Sequence, residues 1–159
     1  MPLTELIVCA VILDGCKSLE KTDVVSQLLV RLAVDGHLEK ASVPSVLDGV
    51  MRRESLASTG VGGGIAVPHT KHPAISRRLG ILGLCRPPVD FDSVDAEPVD
   101  LIILLLTPPD SPGYQSMRVP HDVEELTRRL RSAKFCERLR QSKTAEELWE
   151  IISQSGQEQ

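Results

Sequence analysis

The sequence predicts an α/β domain built in three layers, one mixed β-sheet with helices on both faces. Three observations lead there. Apolar pairs recur at four-residue spacing in the first third of the chain, as helices require. Short apolar runs bounded by glycine and proline fill the middle, as strands require. Helical patterning then returns from residue 122 to the C-terminus. The pattern alone leaves the strand order open.

Residues 6–13 are continuously apolar and read as a buried strand, broken by Asp14 and Gly15. A helix follows over 22–35, with the pairs Val24/Val25, Leu28/Leu29 and Leu32/Ala33 on one face. Gly36 sits where a left-handed C-terminal cap belongs. Ser42 is placed as the N-cap of a second helix, with Pro44 in its first turn. Val43, Val46, Leu47, Val50 and Met51 form its apolar stripe, Asp48 and Arg52 lie opposite, and it ends near Glu54 or Ser55.

Residues 58–64 read Ser-Thr-Gly-Val-Gly-Gly-Gly, too rich in glycine for a helix interior. Ile65, Ala66 and Val67 form a short strand stopped by Pro68, and His69 follows on a loop. Residues 79–85 form another strand, closed by Pro87 and Pro88. Residues 99–107 are the strongest strand. Leu101 to Leu106 are apolar without interruption, which implies burial on both faces and a central place in the sheet. A proline- and glycine-containing loop over 110–120 leads to two or three helices, the last opened by a capping box, Thr144-Ala-Glu-Glu147.

Composition sets the bounds. The 159 residues suit one ordinary domain, and no linker or repeat divides 1–159. A hydrophobic fraction of 42% with 25% charged residues fits a packed globular core. One Trp, one Tyr and two Phe leave that core to Leu, Ile, Val and Ala, and leave almost nothing on which single-stranded bases could stack. A net charge of −4 offers no basic field for nucleic acid. Arg128, Arg129, Arg131, Arg138 and Arg140 alternate with Glu124, Glu125 and Glu137, and read as solvated helix faces rather than a binding patch. Cys9, Cys16, Cys85 and Cys136 form no C-x-x-C pair, and all but Cys16 lie in apolar stretches as small hydrophobes. The apolar run 6–13 is too short to span a bilayer and has no basic residue before it, so a cytoplasmic address without membrane insertion is expected.

The residues able to carry chemistry lie close together: Arg53-Glu54, Ser58-Thr59-Gly60, and Gly64-Ile-Ala-Val-Pro-His69-Thr-Lys71. A histidine with a pKa near ~6.5 keeps a neutral ring nitrogen around neutral pH. That nitrogen can take a phosphoryl group as a nucleophile. The transferred group then needs donors aimed at its oxygens. Backbone N–H groups of Gly62, Gly63 and Gly64, the hydroxyl of Thr59 and the guanidinium of Arg53 are the donors nearby in sequence.

Taken singly, a loop histidine is most often a surface residue and a glycine-rich stretch a tight turn; it is their joint occurrence that points to phosphoryl chemistry. Gly60-Val-Gly62 is no dinucleotide fingerprint, because position 65 is Ile, and no Walker lysine follows, so no cofactor is expected. His69 and His72 lie three apart, but Pro68 and Pro73 oppose a regular helix and no carboxylate or cysteine stands close by, so no metal is expected. His121 opens the C-terminal helical region. It is either a boundary residue or a second imidazole supporting the first. His37, just after the Gly36 cap, reads as a surface residue.

At these residues the sequence resembles the IIA family of the fructose–mannitol and nitrogen-regulatory phosphotransferase systems. Arg53-Glu54, Ser58-Thr59-Gly60, Gly62 and Gly64-Ile-Ala-Val-Pro-His69 match its signature. The likeness continues through Phe91-Asp92, Pro98-Val-Asp100 and the strand after it, and resumes at residues 135–140 and 144–148. The resemblance implies a mixed sheet of about five strands. It implies that His69 is the phosphorylated histidine, that Arg53 is the arginine near it and that His121 is the second histidine of the site. In the family that second histidine is usually followed by Leu; here Asp122-Val123 follows.

It further implies a phosphoryl carrier that is charged by the phosphocarrier protein HPr or a nitrogen-branch relative. The group would then pass to a IIB component, or remain as a regulatory mark read by a target protein. The alternative output is a regulatory interaction module with little or no onward transfer.

Overall fold

The computed structural model describes residues 3–15, 20–109 and 121–154, with the backbone alone at 121 and 122. After a 3₁₀ turn at Leu3–Glu5, strand β1 runs over Ile7–Asp14. Helix α1 occupies Lys21–Val34 and buries Val24, Val25, Leu28, Leu29, Leu32 and Ala33. Its first turn is tied by Asp23, which accepts the Glu20 N–H at 2.9 Å. Its end is a Schellman turn. Gly36, at φ +82°, donates to the Ala33 carbonyl, and His37 N–H donates to that of Leu32.

Helix α2 covers Val43–Leu56 and buries Val46 and Val50; Asp48 and Arg52 pair on the outside at 2.9 Å. Ser42 does stand before it, but in helical conformation and without a side-chain cap. A 3₁₀ turn over Lys40–Ser42 already leads the chain into the helix.

Strands β2 (Gly60–Gly62) and β3 (Ile65–Ala66) form a tight hairpin. Strand β4 is His69–Lys71, β5 is Leu79–Val89 and β6 is Val99–Thr107. They build one mixed six-stranded sheet in the order β1-β5-β6-β3-β2, with β4 also on β6. The neighbour β5 is antiparallel to β6 and parallel to β1; β3 and β4 both run parallel to β6.

Three details differ from the sequence reading. The sheet has six strands rather than five because Pro68 splits one strand in two. Ile65 faces Leu101 and His69 faces Leu105, so the register continues across the gap. Pro68 has no N–H to give, although its carbonyl accepts Leu105 N–H at 2.9 Å. His69 therefore begins a strand instead of lying on a loop. Strand β5 also continues through Pro87 and Pro88 to Val89, which pairs with Val99 beyond a register shift.

Helices α3 (His121–Arg129), α4 (Ala133–Arg140) and α5 (Ala145–Gln154) close the chain. Ser132 caps α4 through Phe135 N–H. Thr144 accepts Glu147 N–H at 3.1 Å, but Glu147 reaches back to Lys143 N–H rather than to the N-cap, so the capping box is shifted by one residue. The loop expected over 110–120 lies outside the described residues, as does Cys16.

Two apolar layers flank the sheet, and β6 supplies both. Ile102, Leu104 and Leu106 pack with α1 and α2. Leu101, Ile103 and Leu105 pack with α3, α4 and α5. Alternate side chains of one strand thus serve opposite cores, which is why the run had to be apolar throughout. Cys85 and Cys136 are buried; Cys9 is only half-buried, and burial pushes its thiol pKa up to about 11. Among the described residues no helix is long and apolar enough to cross a membrane.

Candidate functional site

His69 is 6% exposed. Side chains alternate along a strand, so His69 shares a face with Ile65 and Val67, the face covered by α3, α4 and α5. Its Nδ1 lies 2.8 Å from the Val67 carbonyl oxygen. A carbonyl only accepts, so Nδ1 carries the proton and Nε2 keeps a free lone pair. Burial holds the ring's pKa below the ordinary histidine value. The Val67 bond opposes that shift, Arg53 reinforces it and Glu54 opposes it. The ring is accordingly neutral around pH 7, with its tautomer set by the backbone.

His69 lines a cleft of about 540 Å³ together with Arg53, Ser58, Thr59, Val61 and Val67 on one side. Val123, Glu124, Thr127, Arg128 and Arg131 form the other side. Arg53 comes from the last turn of α2, where it also donates to the Ala57 carbonyl at 2.9 Å and so closes the helix C-terminus. Next to it Glu54 turns inward and is 3% exposed. Thr59 reaches the cleft, but its hydroxyl proton is given to Glu54 at 2.7 Å. It can accept a bond there and has no second O–H to donate to an incoming anion.

The three glycines stand elsewhere. Gly62, Gly63 and Gly64 all have positive φ and make the turn between β2 and β3. Gly62 and Gly63 line a neighbouring cleft rather than the one holding His69. The Gly63 N–H donates to the Asp95 carboxylate at 3.0 Å, and its carbonyl accepts Arg140 Nη2 at 2.6 Å. The structure thus places Gly62 and Gly63 away from the His69 cleft, in a turn clamped at Gly63 from both sides. Arg140 holds the clamp in place through Asp100, with Nε–O distances of 2.8 and 3.0 Å.

Two arginines that the sequence pattern presents as solvated helix charge do line the cleft. Arg128 and Arg131, one turn apart on and just after α3, stand on the rim of the His69 cleft. Their three-residue spacing was visible, but nothing local told which way α3 would face. Arg128 also pairs with Glu125. Ser58 is on the cleft wall too; its hydroxyl donates to the Phe91 carbonyl and accepts Gly60 N–H at 3.0 Å. His121 is the first residue of α3, and the role expected of its imidazole lies outside the described residues. His72 faces α2 instead. Its Nδ1 accepts Ala74 N–H at 3.0 Å and its Nε2 lies 2.8 Å from Ser45 Oγ, so both nitrogens are engaged away from His69.

The chain is similar to known proteins along most of its length. The family model for the phosphoenolpyruvate-dependent sugar phosphotransferase system, EIIA 2, matches residues 10–155. A nitrogen regulatory protein of Bradyrhizobium diazoefficiens is 31% identical over 154 residues, 96% of this chain and 95% of that protein. The 2-O-alpha-mannosyl-D-glycerate-specific EIIABC component of Escherichia coli is 32% identical over 137 residues, 86% of this chain and 20% of that longer protein. The crystal structure of nitrogen regulatory protein IIA-Ntr from Neisseria meningitidis matches with a TM-score of 0.76 at 28% identity, covering 94% of this chain and 98% of that one. The chain belongs to the EIIA 2 family of the phosphoenolpyruvate-dependent sugar phosphotransferase system.

Proposed function

We propose that this chain accepts a phosphoryl group on Nε2 of His69 from an HPr-like phosphocarrier protein and passes it to a IIB component or holds it as a regulatory mark. The observation that carries the reading is the bond from His69 Nδ1 to the Val67 carbonyl. It keeps the proton on the far nitrogen, so Nε2 needs no base to become nucleophilic.

In the step, the Nε2–P bond forms as the donor's P–N bond breaks, and the donor's imidazole leaves with its electron pair. His69 retains its Nδ1 proton, and the positive charge gained by the ring falls on the Val67 carbonyl dipole. Arg53, Arg128 and Arg131 are the cations lining the cleft that can stabilise the phosphoryl oxygens. Thr59 can meet the group only as an acceptor or through its backbone, and Gly62 to Gly64 act by shaping the β2–β3 turn. His121 keeps its supporting role on the family resemblance alone.

Phosphorylation adds about −1.5 to −2 charges to an arginine-rimmed cleft, enough to change what docks there. The similarity to a nitrogen regulatory protein along 95% of that protein's length favours such a regulatory output. The test is labelling from phosphoenolpyruvate through the upstream relay proteins. The wild-type chain should take up one acid-labile phosphoryl group with phosphorus on Nε2, and His69→Ala should take up none. Label that survives in His69→Ala refutes the assignment. Transfer from the labelled chain to a IIB protein then separates carrier from regulator.

A further inference from the structure

We propose that Glu54 is a positioning residue for His69, acting through Thr59 and Val67 to fix the carbonyl that holds the Nδ1 proton. The inference rests on the phosphoryl reading of His69 and extends it to a residue outside the cleft.

A continuous path of hydrogen bonds connects the two side chains. Glu54 Oε1 accepts Thr59 N–H at 3.1 Å, and Oε2 accepts the Thr59 hydroxyl at 2.7 Å. Thr59 carbonyl oxygen accepts Val67 N–H at 3.1 Å. Val67 carbonyl oxygen accepts His69 Nδ1–H at 2.8 Å. Val67 lies between β3 and β4, one residue beyond the Gly60–Ala66 pair, and backbone alternation turns its N–H to Thr59 rather than to β6. The orientation of its carbonyl therefore depends on the Thr59 segment, and that segment depends on Glu54.

A carboxylate suits this place for two reasons. Two donors from one residue converge on it, and it presents acceptors only. Glutamine would turn an NH₂ group toward Thr59 N–H or toward Lys21 Nζ, which stands 3.7 Å from Oε1. The second reason is charge. Burying a carboxylate at 3% exposure is costly unless it is paired and hydrogen-bonded. Lys21 is at the outer limit of an ion pair and shares its charge with Asp92 at 3.1 Å. Negative charge is thus left behind a ring that becomes more positive when Nε2 bonds phosphorus. Its influence on His69 opposes that of Arg53.

The experiment uses the intact chain, Glu54→Gln, Thr59→Val and Thr59→Ser. Two quantities are read: the His69 tautomer by ¹⁵N NMR of the unphosphorylated protein, and the initial rate of phosphorylation. Wild type should show one tautomer, with the proton on Nδ1. Folded Glu54→Gln should show a measurable fraction of the Nε2–H tautomer and a rate lower by about tenfold. Thr59→Val, which leaves Glu54 in place but removes the hydroxyl link, should shift both readings the same way, and Thr59→Ser should restore them.

A merely structural role would lower the folded fraction and leave the tautomer of the folded molecules alone. Wild-type tautomer and rate in Glu54→Gln overturn the proposal. Should that variant not fold, the same outcome in Thr59→Val overturns it. Failure of the phosphoryl reading is recognised separately, by absence of label in the wild type or its survival in His69→Ala; the tautomer measurement needs no phosphoryl transfer.

Discussion

The turn that leads into His69 can be tested by giving Gly64 a single methyl group. Gly64 has φ +80°, and a Cβ built on it would lie 2.7 Å from Arg140 Nη2 and 3.0 Å from Asp100 Oδ1. Two costs follow for Gly64→Ala. Holding alanine in the left-handed region costs about 1–2 kcal/mol. The guanidinium must also move and lose its bond to the Gly63 carbonyl at 2.6 Å. A charge-assisted bond contributes about 1.5–3 kcal/mol when well buried. The Arg140 side chain is 34% exposed, so about 1 kcal/mol is the fitting figure after screening.

The total loss is about 2–3 kcal/mol, read as a lower urea midpoint at unchanged slope. In an Arg140→Ala background the overlap with the guanidinium is gone and Asp100 loses the partner that holds it, so the same substitution should cost mainly the about 1–2 kcal/mol of backbone strain. A loss below about 0.5 kcal/mol in the parent chain would refute the strain argument. An equal loss in both backgrounds would refute the clamp.

The remaining predictions concern the cleft. Because burial depresses the folded pKa of His69 below its unfolded value, the unfolded chain binds more protons between the two values. Stability should therefore fall as pH drops through about 6.5, and His69→Gln should flatten the urea midpoint between about pH 7.5 and about pH 5.5; an unchanged slope would show that the ring is not protected from protonation. Replacing Arg128 and Arg131 together by Gln should slow phosphorylation by about tenfold with little change in stability, since both stand on the exposed rim. A rate within twofold of the parent would return these arginines to the status of solvated helix charge.

The sequence by itself determined the elements whose cause is local. Leu101 to Leu106 had to be a central strand because six consecutive apolar side chains need two cores. The α1 face and the Gly36 cap followed from spacing and from residue chemistry that acts over a few positions. What the pattern could not carry was anything set by distant partners. Pro68 interrupts a strand and does not end it, because β6 holds both pieces in one register. The Gly63 N–H is taken by Asp95 and the Gly63 carbonyl by Arg140, residues far along the chain that no local pattern names.

Arg128 and Arg131 come to the His69 cleft only because α3 packs across the face that carries His69. The His69 tautomer was likewise decided in the tertiary structure. An imidazole is legible in a sequence, but which of its nitrogens carries the proton depends on the Val67 carbonyl, which only the folded chain brings to it. Side-chain identity is written residue by residue, whereas the orientation of a backbone dipole is set by everything packed against it.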